Sequence, residues 1–274
     1  MNLQSQRIAF VGTGQMATAL ACGFVRQLLK PEQITGCDPF EKARVTFCEK
    51  VGEGTSVADS PAAIIANATV VFLSVKPQIM VEALEEIFPL IRKNHLIVSI
   101  AAGVTLDALE NALPDGTRVV RVMPNTPCLI GRGASGVSRG TAATAEDQQL
   151  VTELLSTVGI VETVPEHLLD AVTGLSGSGP AYIMQVIEAL SDGGVRMGLP
   201  RAIATRLAAQ TVAGSGDLVL QTGQHPAVLR DSVTSPGGTT IAGLHTLEEH
   251  GVRGAFISAV EAATQRSIEL GEAD

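Results

Sequence analysis

A short apolar run near the N-terminus passes directly into a glycine-rich turn and then into a helical pattern. The run is Ile8 to Val11, and the turn reads Gly12-x-Gly14-x-x-Ala17. This order is a dinucleotide-binding fingerprint, because the first glycine permits a tight turn, the second lets the backbone approach a pyrophosphate, and the small third residue keeps the helix near the strand. The helix N-terminus adds free N–H groups and a positive dipole for the phosphates. We therefore predict that the chain begins with a dinucleotide-binding domain.

Short apolar runs with the composition of β-strands alternate with helical patterns up to about residue 165. The runs are Ile8 to Val11, Gln33 to Cys37, Val70 to Val75, Leu96 to Ile100 and Val119 to Val122. Strands separated by helical segments are typical of parallel sheets with crossover helices. We expect an α/β fold whose N-terminal part is a Rossmann-type, doubly wound parallel sheet.

Small or polar residues follow several of these runs. They are Ser74-Val-Lys-Pro77, Ser99-Ile-Ala-Ala-Gly103 and Met123-Pro-Asn-Thr-Pro127. Ligands of an open α/β sheet bind at the carboxyl ends of its strands, so we expect these segments to line one crevice with the glycine turn. The predicted cofactor-binding residues are Gly12, Thr13, Gly14, Gln15, Met16, Asp38, Ser74, Val75, Lys76, Pro77, Ala101, Gly103 and Asn125.

From Val164 onward the β-like runs stop and helical patterns take over. Ala181 to Leu190, Arg201 to Leu220 and Gly251 to Leu270 read as helices that are apolar on more than one face. We predict a dinucleotide-binding domain over residues 1–164 and an all-α substrate and dimerisation domain over residues 165–274. A domain of about 110 residues offers such helices little internal burial, so we expect a dimer interface; the alternative is a compact bundle that caps the nucleotide domain.

Composition limits the classes of partner. The 274 residues carry 19 basic and 28 acidic side chains, a formal net charge of −9, which argues against nucleic acid and anionic membrane surfaces. The N-terminus lacks the pattern of a secretory signal, and no apolar stretch approaches the ~18 residues of a membrane span. We expect a soluble, cytoplasmic protein. Its four cysteines show no C-x-x-C spacing and its five histidines no metal-ligand spacing, so we expect reduced cysteines and no metal site.

The segment Asp231-Ser-Val-Thr-Ser-Pro-Gly-Gly-Thr-Thr240 crowds five small hydroxyl residues and two adjacent glycines around one proline. Such a density of backbone N–H and hydroxyl donors suits the capture of a carboxylate or another small anion. The alternative is a Gly/Ser-rich turn that opens a helix.

Five segments together resemble the pyrroline-5-carboxylate reductase family, along nearly the whole chain. They are Phe10-Val-Gly-Thr-Gly-Gln-Met-Ala17, Ser74-Val-Lys-Pro77, Val122-Met-Pro-Asn-Thr-Pro127, Leu175-Ser-Gly-Ser-Gly-Pro-Ala-Tyr182 and, most specific, Leu229 to Glu248. The resemblance implies an oxidoreductase that reduces Δ1-pyrroline-5-carboxylate to L-proline with NAD(P)H, the last step of proline biosynthesis. It also implies a homodimer with intertwined helical domains, assembled into a larger ring such as a decamer.

The same resemblance assigns roles at the end of the hydroxyl-rich segment. The implied substrate-binding residues are Ser235, Gly237, Gly238, Thr239 and Thr240. The hydroxyl of Thr240 is the implied catalytic group at the imine nitrogen, where it would orient the ring and support the nitrogen as it gains a proton. The alternative is that Thr240 caps the helix that follows.

Charged residues near the end of the second predicted strand leave the choice of cofactor open. Asp38 lies about 20 residues past the glycines, where an acid hydrogen-bonds the ribose 2′-OH of NAD(H) and repels a 2′-phosphate. Lys42 and Arg44 follow closely and pair with a 2′-phosphate if Asp38 turns away. We favour NADP(H), with NAD(H) as the second possibility.

Two rival functions share the predicted architecture. A 3-hydroxyacid dehydrogenase resembles the segment Gly174 to Gly179, but it carries a lysine and an asparagine where this chain has Ile183 and Ile187. Without that ammonium group, carbonyl–alcohol chemistry lacks its acid/base catalyst, whereas imine reduction does not need one. The second rival is a nucleotide-sensing regulatory protein that has kept the fold and lost catalysis.

Overall fold

The structure, a computed structural model, describes residues 3–272. It divides into two compact units. The first unit contains the chain up to Gly177 and the C-terminal segment from Ala262, and the second unit is Ser178–Glu261. The division into a Rossmann domain and a helical domain after residue 164 stays a prediction.

The first unit is built on a mixed, mostly parallel sheet. Within the described residues its eight strands are β1 (Ile8–Val11), β2 (Ile34–Cys37), β3 (Ser56–Ala58), β4 (Val70–Leu73), β5 (Leu96–Ser99), β6 (Arg118–Met123), β7 (Gly133–Arg139) and β8 (Gly159–Thr163). Their order is β3-β2-β1-β4-β5-β6-β7-β8. Strand order reverses at β1 and β4, so the crevice at their carboxyl ends is the expected position of a ligand. The predicted Rossmann-type fold is confirmed.

Burial on both faces explains why the central strands are continuous apolar runs. All four residues of β1, β4 and β5 are buried. Phe10 and Phe72 stack on one face, with ring centroids 5.0 Å apart, and Phe24 of the following helix packs against both rings. A second core cluster contains Val71 and Ile97 of the same strands together with residues of later helices, so helices cover the sheet on both faces, as parallel strands require.

The far edge of the sheet differs from the prediction. Strand β7 runs antiparallel to β6, and β8 then pairs with β7 in parallel. The reason is the connection from β6 to β7, a short segment with a 3-10 turn at Thr126–Ile130, which is too short for a crossover helix and reverses the chain. The sequence prediction also missed β3, β7 and β8.

Helices alternate with the strands of the first unit and form almost all of the second. Within the described residues they are α1 (Gln15–Gln27), α2 (Glu41–Val51), α3 (Ala62–Ile65), α4 (Met80–Ile87), α5 (Leu106–Asn111), α6 (Ala145–Ser156), α7 (Leu169–Val172), α8 (Gly179–Arg196), α9 (Arg201–Thr222), α10 (Pro226–Ser232), α11 (Thr239–Glu249) and α12 (Val252–Glu272). Helix α12 begins in the second unit and ends in the first. No helix of the described chain has the length and apolar character needed to span a membrane.

The second unit buries little of its own apolar surface. Among its described residues only Ser191, Ala204 and Ala208 are buried, all at the packing of α8 against α9. Large apolar side chains of the same unit are exposed, among them Met197, Leu207, Leu220 and Ile257. Soluble domains seldom leave so much apolar surface uncovered, so this unit has the character of an interface.

Candidate dinucleotide and substrate sites

Gly12 sits where β1, β2 and β4 end, and its position excludes any side chain. Its φ angle is +90°, and a Cβ atom there would lie 2.9 Å from the carbonyl oxygen of Ser74. Its N–H continues the sheet by donating to the carbonyl of Cys37 at 2.8 Å. The turn after β1 therefore stays tight and close to the β4 end, as the fingerprint predicts.

Gly14 is the N-cap of α1 and leaves the helix N-terminus open. A Cβ atom added to Gly14 would meet nothing within 4 Å, and no side chain caps the helix. The hydroxyls of Thr13 and Ser74 are buried nearby, and neither hydrogen-bonds to any described residue. Free N–H groups and two orphaned hydroxyls fit the phosphates and ribose hydroxyls of NADP(H).

Two cavities flank the turn between β2 and α2. The cavity that we call the acidic cavity has a volume of about 580 Å³ and extends from Gly12 to α4. The cavity that we call the basic cavity has a volume of about 840 Å³ and extends from Gly14 along α1 and α2. Gly14, Phe40 and Ala43 line both cavities, so the two are adjacent.

Most of the predicted cofactor residues line these cavities. They are Gly12, Thr13, Gly14, Gln15, Asp38, Ser74, Val75 and Lys76. Met16 and Pro77 are chain neighbours of the lining residues. Three further residues that the sequence implicated, Ala101, Gly103 and Asn125, line neither cavity.

The three residues outside the cavities have structural contacts of their own. Ala101 is buried in the core, and Gly103 approaches Leu270 of α12. The Asn125 amide donates to the carbonyl of Ser176 and accepts from the N–H of Ala134, both at 2.9 Å. A cofactor role for Ala101, Gly103 and Asn125 stays a prediction, and Asn125 also anchors the chain after β6.

Asp38 points its carboxylate at main-chain amides on both sides. Oδ2 accepts from the N–H of Thr13 and Oδ1 from the N–H of Phe40, each at 3.0 Å. The guanidinium of Arg44 donates to the carbonyl oxygens of Asp38 and Pro39 at 2.6 and 3.1 Å. Both side chains therefore hold the β2–α2 turn together.

In the second unit, the hydroxyl-rich segment ends at the N-terminus of α11. The N–H of Gly238 donates to the carbonyl of Ser235 at 3.1 Å, and Gly237 has a φ of +66°. Gly238 is the N-cap of the helix, with no capping side chain. The first N–H groups of α11 therefore lack capping partners, which makes this turn a suitable anion site.

Three hydroxyls of this segment are free, unlike most others in the second unit. The hydroxyls of Ser235, Thr239 and Thr240 form no hydrogen bond with any described residue. The hydroxyls that instead donate to a carbonyl three or four residues earlier include those of Thr211, Ser215, Thr222, Ser232, Thr234 and Thr246. Thr240 is the second residue of α11, not its cap, so the capping alternative is wrong.

Two family models match the chain. The model described as pyrroline-5-carboxylate reductase dimerisation matches residues 166–270, and the one described as NADP oxidoreductase, coenzyme F420-dependent, matches residues 7–103. A pyrroline-5-carboxylate reductase from Methanosarcina acetivorans is 46% identical over 98% of this chain and 100% of its own length. The corresponding reductase from Glycine max is 45% identical over 97% of both chains. The chain belongs to the pyrroline-5-carboxylate reductase family.

Solved structures of the pyrroline-5-carboxylate reductase family extend the similarity to the fold. The reductase from Coxiella burnetii is 34% identical, with a TM-score of 0.90 over 97% of this chain and 99% of that one. The Plasmodium falciparum enzyme, solved with NADP bound, is 32% identical, with a TM-score of 0.87 over 98% and 99%. Family membership decides against the 3-hydroxyacid dehydrogenase alternative.

The cysteines of this family member are free thiols. Burial raises the pKa of the Cys37 thiol to about 12, so this residue, adjacent to Asp38, stays protonated and unreactive at neutral pH. Burial likewise raises the pKa values of Cys22, Cys48 and Cys128. No group of three or more His, Cys, Asp or Glu side chains in the described chain could hold a metal ion.

Proposed function

We propose that this chain reduces Δ1-pyrroline-5-carboxylate to L-proline with NADP(H), and that it also accepts NAD(H). Membership in the family and the fit of the glycine turn to a dinucleotide support this function. Bound NADPH supplies the hydride, which passes to the carbon of the C=N bond while the nitrogen gains a proton. The chain itself has to bind the two reactants and orient the imine.

The observation that carries the substrate assignment is the set of free donors at the start of α11. The hydroxyls of Ser235, Thr239 and Thr240 have no partner among the described residues, and the helix N-terminus behind Gly238 is uncapped. We propose that Ser235, Gly237, Gly238 and Thr239 hold the substrate carboxylate. Charge-assisted hydrogen bonds of this kind are the strongest that neutral donors make with a ligand.

Thr240 is the proposed catalytic residue. Its hydroxyl is neutral, and it can accept from a protonated imine nitrogen or donate to the amine that forms. Held at the nitrogen, it would fix which atom of the ring faces the hydride donor. No charged side-chain acid is required, because the nitrogen becomes a basic amine as the hydride arrives and takes its proton from solvent, while the Thr240 hydroxyl stays intact.

A substrate without a carboxylate tests this assignment. With 1-pyrroline in place of pyrroline-5-carboxylate, kcat/KM should fall by about 10²-fold, because hydrogen bonds to a charged group are worth about 1.5–3 kcal/mol each. The measurement is NADPH oxidation at saturating cofactor with both imines. Equal kcat/KM values for the two imines would refute a carboxylate site in this segment.

We further propose a homodimer assembled into a ring such as a decamer, located in the cytoplasm. The exposed apolar side chains of the second unit and the dimerisation model support the dimer. Four free cysteines suit a reducing compartment. Light scattering of the purified protein measures the number of chains directly.

A further inference from the structure

The two cavities beside the β2–α2 turn carry opposite charge. The acidic cavity is lined by four carboxylates, Asp38, Asp59, Glu82 and Glu86, against the single ammonium group of Lys76. The basic cavity is lined by Arg26, Lys42 and Lys50, with no Asp or Glu in its lining. An anion is therefore attracted to one side of the turn and repelled from the other.

Two parallel rows of side chains form the basic cavity. On α1 the row is Thr18, Cys22 and Arg26, and on α2 it is Lys42, Thr46 and Lys50, each with a spacing of four residues. Residues four apart lie on one face of a helix, so the two rows face each other across the cavity.

The three cations of this cavity are available to a ligand. None of Arg26, Lys42 and Lys50 forms an ion pair with a carboxylate of the described chain. Burial raises the pKa of the Cys22 thiol, and the positive charges of Arg26 and Lys50 oppose that rise, which is consistent with both cations facing into the cavity. Lys42 belongs to the first turn of α2 and lines this cavity together with Gly14 of the glycine turn.

Phe40 separates the two cavities and belongs to the lining of both. Its side chain is 74% exposed, which is unusual for a phenylalanine with no described aromatic partner. A flat aromatic face at this place offers a stacking surface to a purine base. The carboxylates beyond it are acceptors that suit the exocyclic amino group of adenine.

We propose that the basic cavity receives the 2′-phosphate of NADP(H), with Lys42 as the residue that recognises it and Asp38 as a positioning residue that does not oppose it. The proposal rests on the proposed function and names the part of the cofactor that each cavity binds. With NADP(H) bound, the acidic cavity would hold the adenine beside Phe40, and the basic cavity would hold the 2′-phosphate. This arrangement explains how a chain with an acid at the end of β2 uses NADP(H).

The role of Asp38 follows from its two main-chain contacts. Its carboxylate joins the N–H of Thr13 in the glycine turn to the N–H of Phe40, so its direction is set by the two turns. Asp38 thereby holds Phe40 and the start of α2 in place for either cofactor. A carboxylate that selects NAD(H) would change the ratio of affinities for the two cofactors, whereas a positioning residue changes both affinities alike.

Binding titrations with Lys42→Gln test the phosphate site without turnover. Calorimetry at fixed ionic strength would compare 2′,5′-ADP with 5′-AMP, and NADPH with NADH. We expect Lys42→Gln to lower the affinity for 2′,5′-ADP and NADPH by about tenfold. The affinities for 5′-AMP and NADH should stay within about twofold of wild type. Lys93→Gln, at an exposed lysine outside both cavities, is the matched control and should change none of the four affinities. An equal effect of Lys42→Gln on all four ligands, or no effect, would overturn the proposal.

Asp38→Asn tests the positioning role. The amide nitrogen of asparagine cannot accept from a main-chain N–H, so one of the two contacts is lost and both NADPH and NADH should bind more weakly by the same factor. Asp59→Asn, an exposed acid of the same cavity, is the control for charge alone. An Asp38→Asn variant that gains tenfold or more in preference for NADPH would contradict the positioning role. If Asp38→Asn does not fold, Lys42→Gln still decides the site, because Lys42 is exposed.

Failure of this proposal is distinguishable from failure of the proposed function. Titration of 2′,5′-ADP requires neither imine nor hydride transfer. A Lys42-dependent affinity in a protein that does not turn over pyrroline-5-carboxylate would leave the phosphate site standing and refute the reaction. If the Lys42→Gln variant turns over pyrroline-5-carboxylate and binds 2′,5′-ADP with wild-type affinity, the proposed reaction stands and the phosphate site is refuted.

Discussion

Replacing Thr240 with alanine should lower kcat by about 10²-fold while the Kd for NADPH stays within about twofold of wild type. The hydroxyl of Thr240 has no hydrogen-bond partner among the described residues, so its removal breaks no hydrogen bond within the described fold. What is lost is the group that orients the imine nitrogen and supports its protonation. Stopped-flow and steady-state NADPH oxidation would separate kcat from KM, and calorimetry would give the Kd.

Two further variants control for the Thr240 experiment. Thr240→Ser retains a hydroxyl at the same place and should recover most of the activity. Thr246→Ala removes another hydroxyl from α11, one that donates to the carbonyl of Ala242, and should leave kcat unchanged. If Thr240→Ala keeps kcat within about twofold of wild type, the catalytic role of Thr240 is wrong.

The largest effect on stability is expected at Arg121 of β6. Its side chain is only 4% exposed, and its guanidinium meets Glu166 at 3.0 Å and Asp170 at 3.7 Å. Asp170 also accepts from the hydroxyl of Ser267 on α12 at 2.6 Å. Arg121 therefore joins the sheet to the chain after β8 and to the C-terminal helix.

Arg121→Met should lower the free energy of unfolding by about 3 kcal/mol, because it leaves two partly buried carboxylates without their cation. Urea unfolding, followed by circular dichroism at one protein concentration, measures the change. Arg266→Met, which breaks the exposed pair with Glu269 on α12, is the control and should cost less than about 1 kcal/mol.

A variant that also neutralises both acids sharpens the Arg121 test. Arg121→Met combined with Glu166→Gln and Asp170→Asn should recover part of the lost stability, because the unpaired charges are then removed. If the free energy of unfolding of Arg121→Met alone is within about 1 kcal/mol of the wild-type value, the ion pairs of Arg121 do not hold these elements together.

Sequence patterns predicted the centre of the sheet and missed its edges. Strands β1, β4 and β5 are buried on both faces and are therefore apolar throughout, which makes them visible as runs. Strand β7 contains Gly133, Ser135 and Gly136, residues with little intrinsic preference for strands, and it forms because β6 and β8 pair with it. Pairing of this kind is a property of the tertiary structure and leaves little trace in a local pattern.

The candidate sites, like the sheet, were predictable only in part. The conformations of the glycine turn and of the segment before Thr240 were predictable, because tight turns and dense donors require particular residue types, and the roles of both as binding sites stay predictions. The basic cavity was not, because Arg26 and Lys50 are distant in sequence and meet only when α1 and α2 pack side by side. The only pattern in the sequence was a row of side chains spaced four residues apart on each helix. Such rows are common on exposed helices, so the pattern did not indicate a cavity.

The direction of the Asp38 carboxylate could not be predicted from the sequence either. An acid at the end of β2 indicates a ribose contact, but the two amides that it accepts from come from turns on either side. The structure shows that this carboxylate stabilises the two turns, and its predicted contact with the ribose stays a prediction.

The reaction that we propose for this chain is the reduction of a cyclic imino acid by a nicotinamide cofactor. The most direct test is the absorbance of the reduced nicotinamide, followed in purified protein with pyrroline-5-carboxylate and either NADPH or NADH. We expect rapid, imine-dependent oxidation of NADPH, slower oxidation of NADH, and one L-proline formed for each cofactor oxidised. No oxidation of either cofactor by folded protein that binds NADPH would refute the proposed reduction and favour the regulatory alternative.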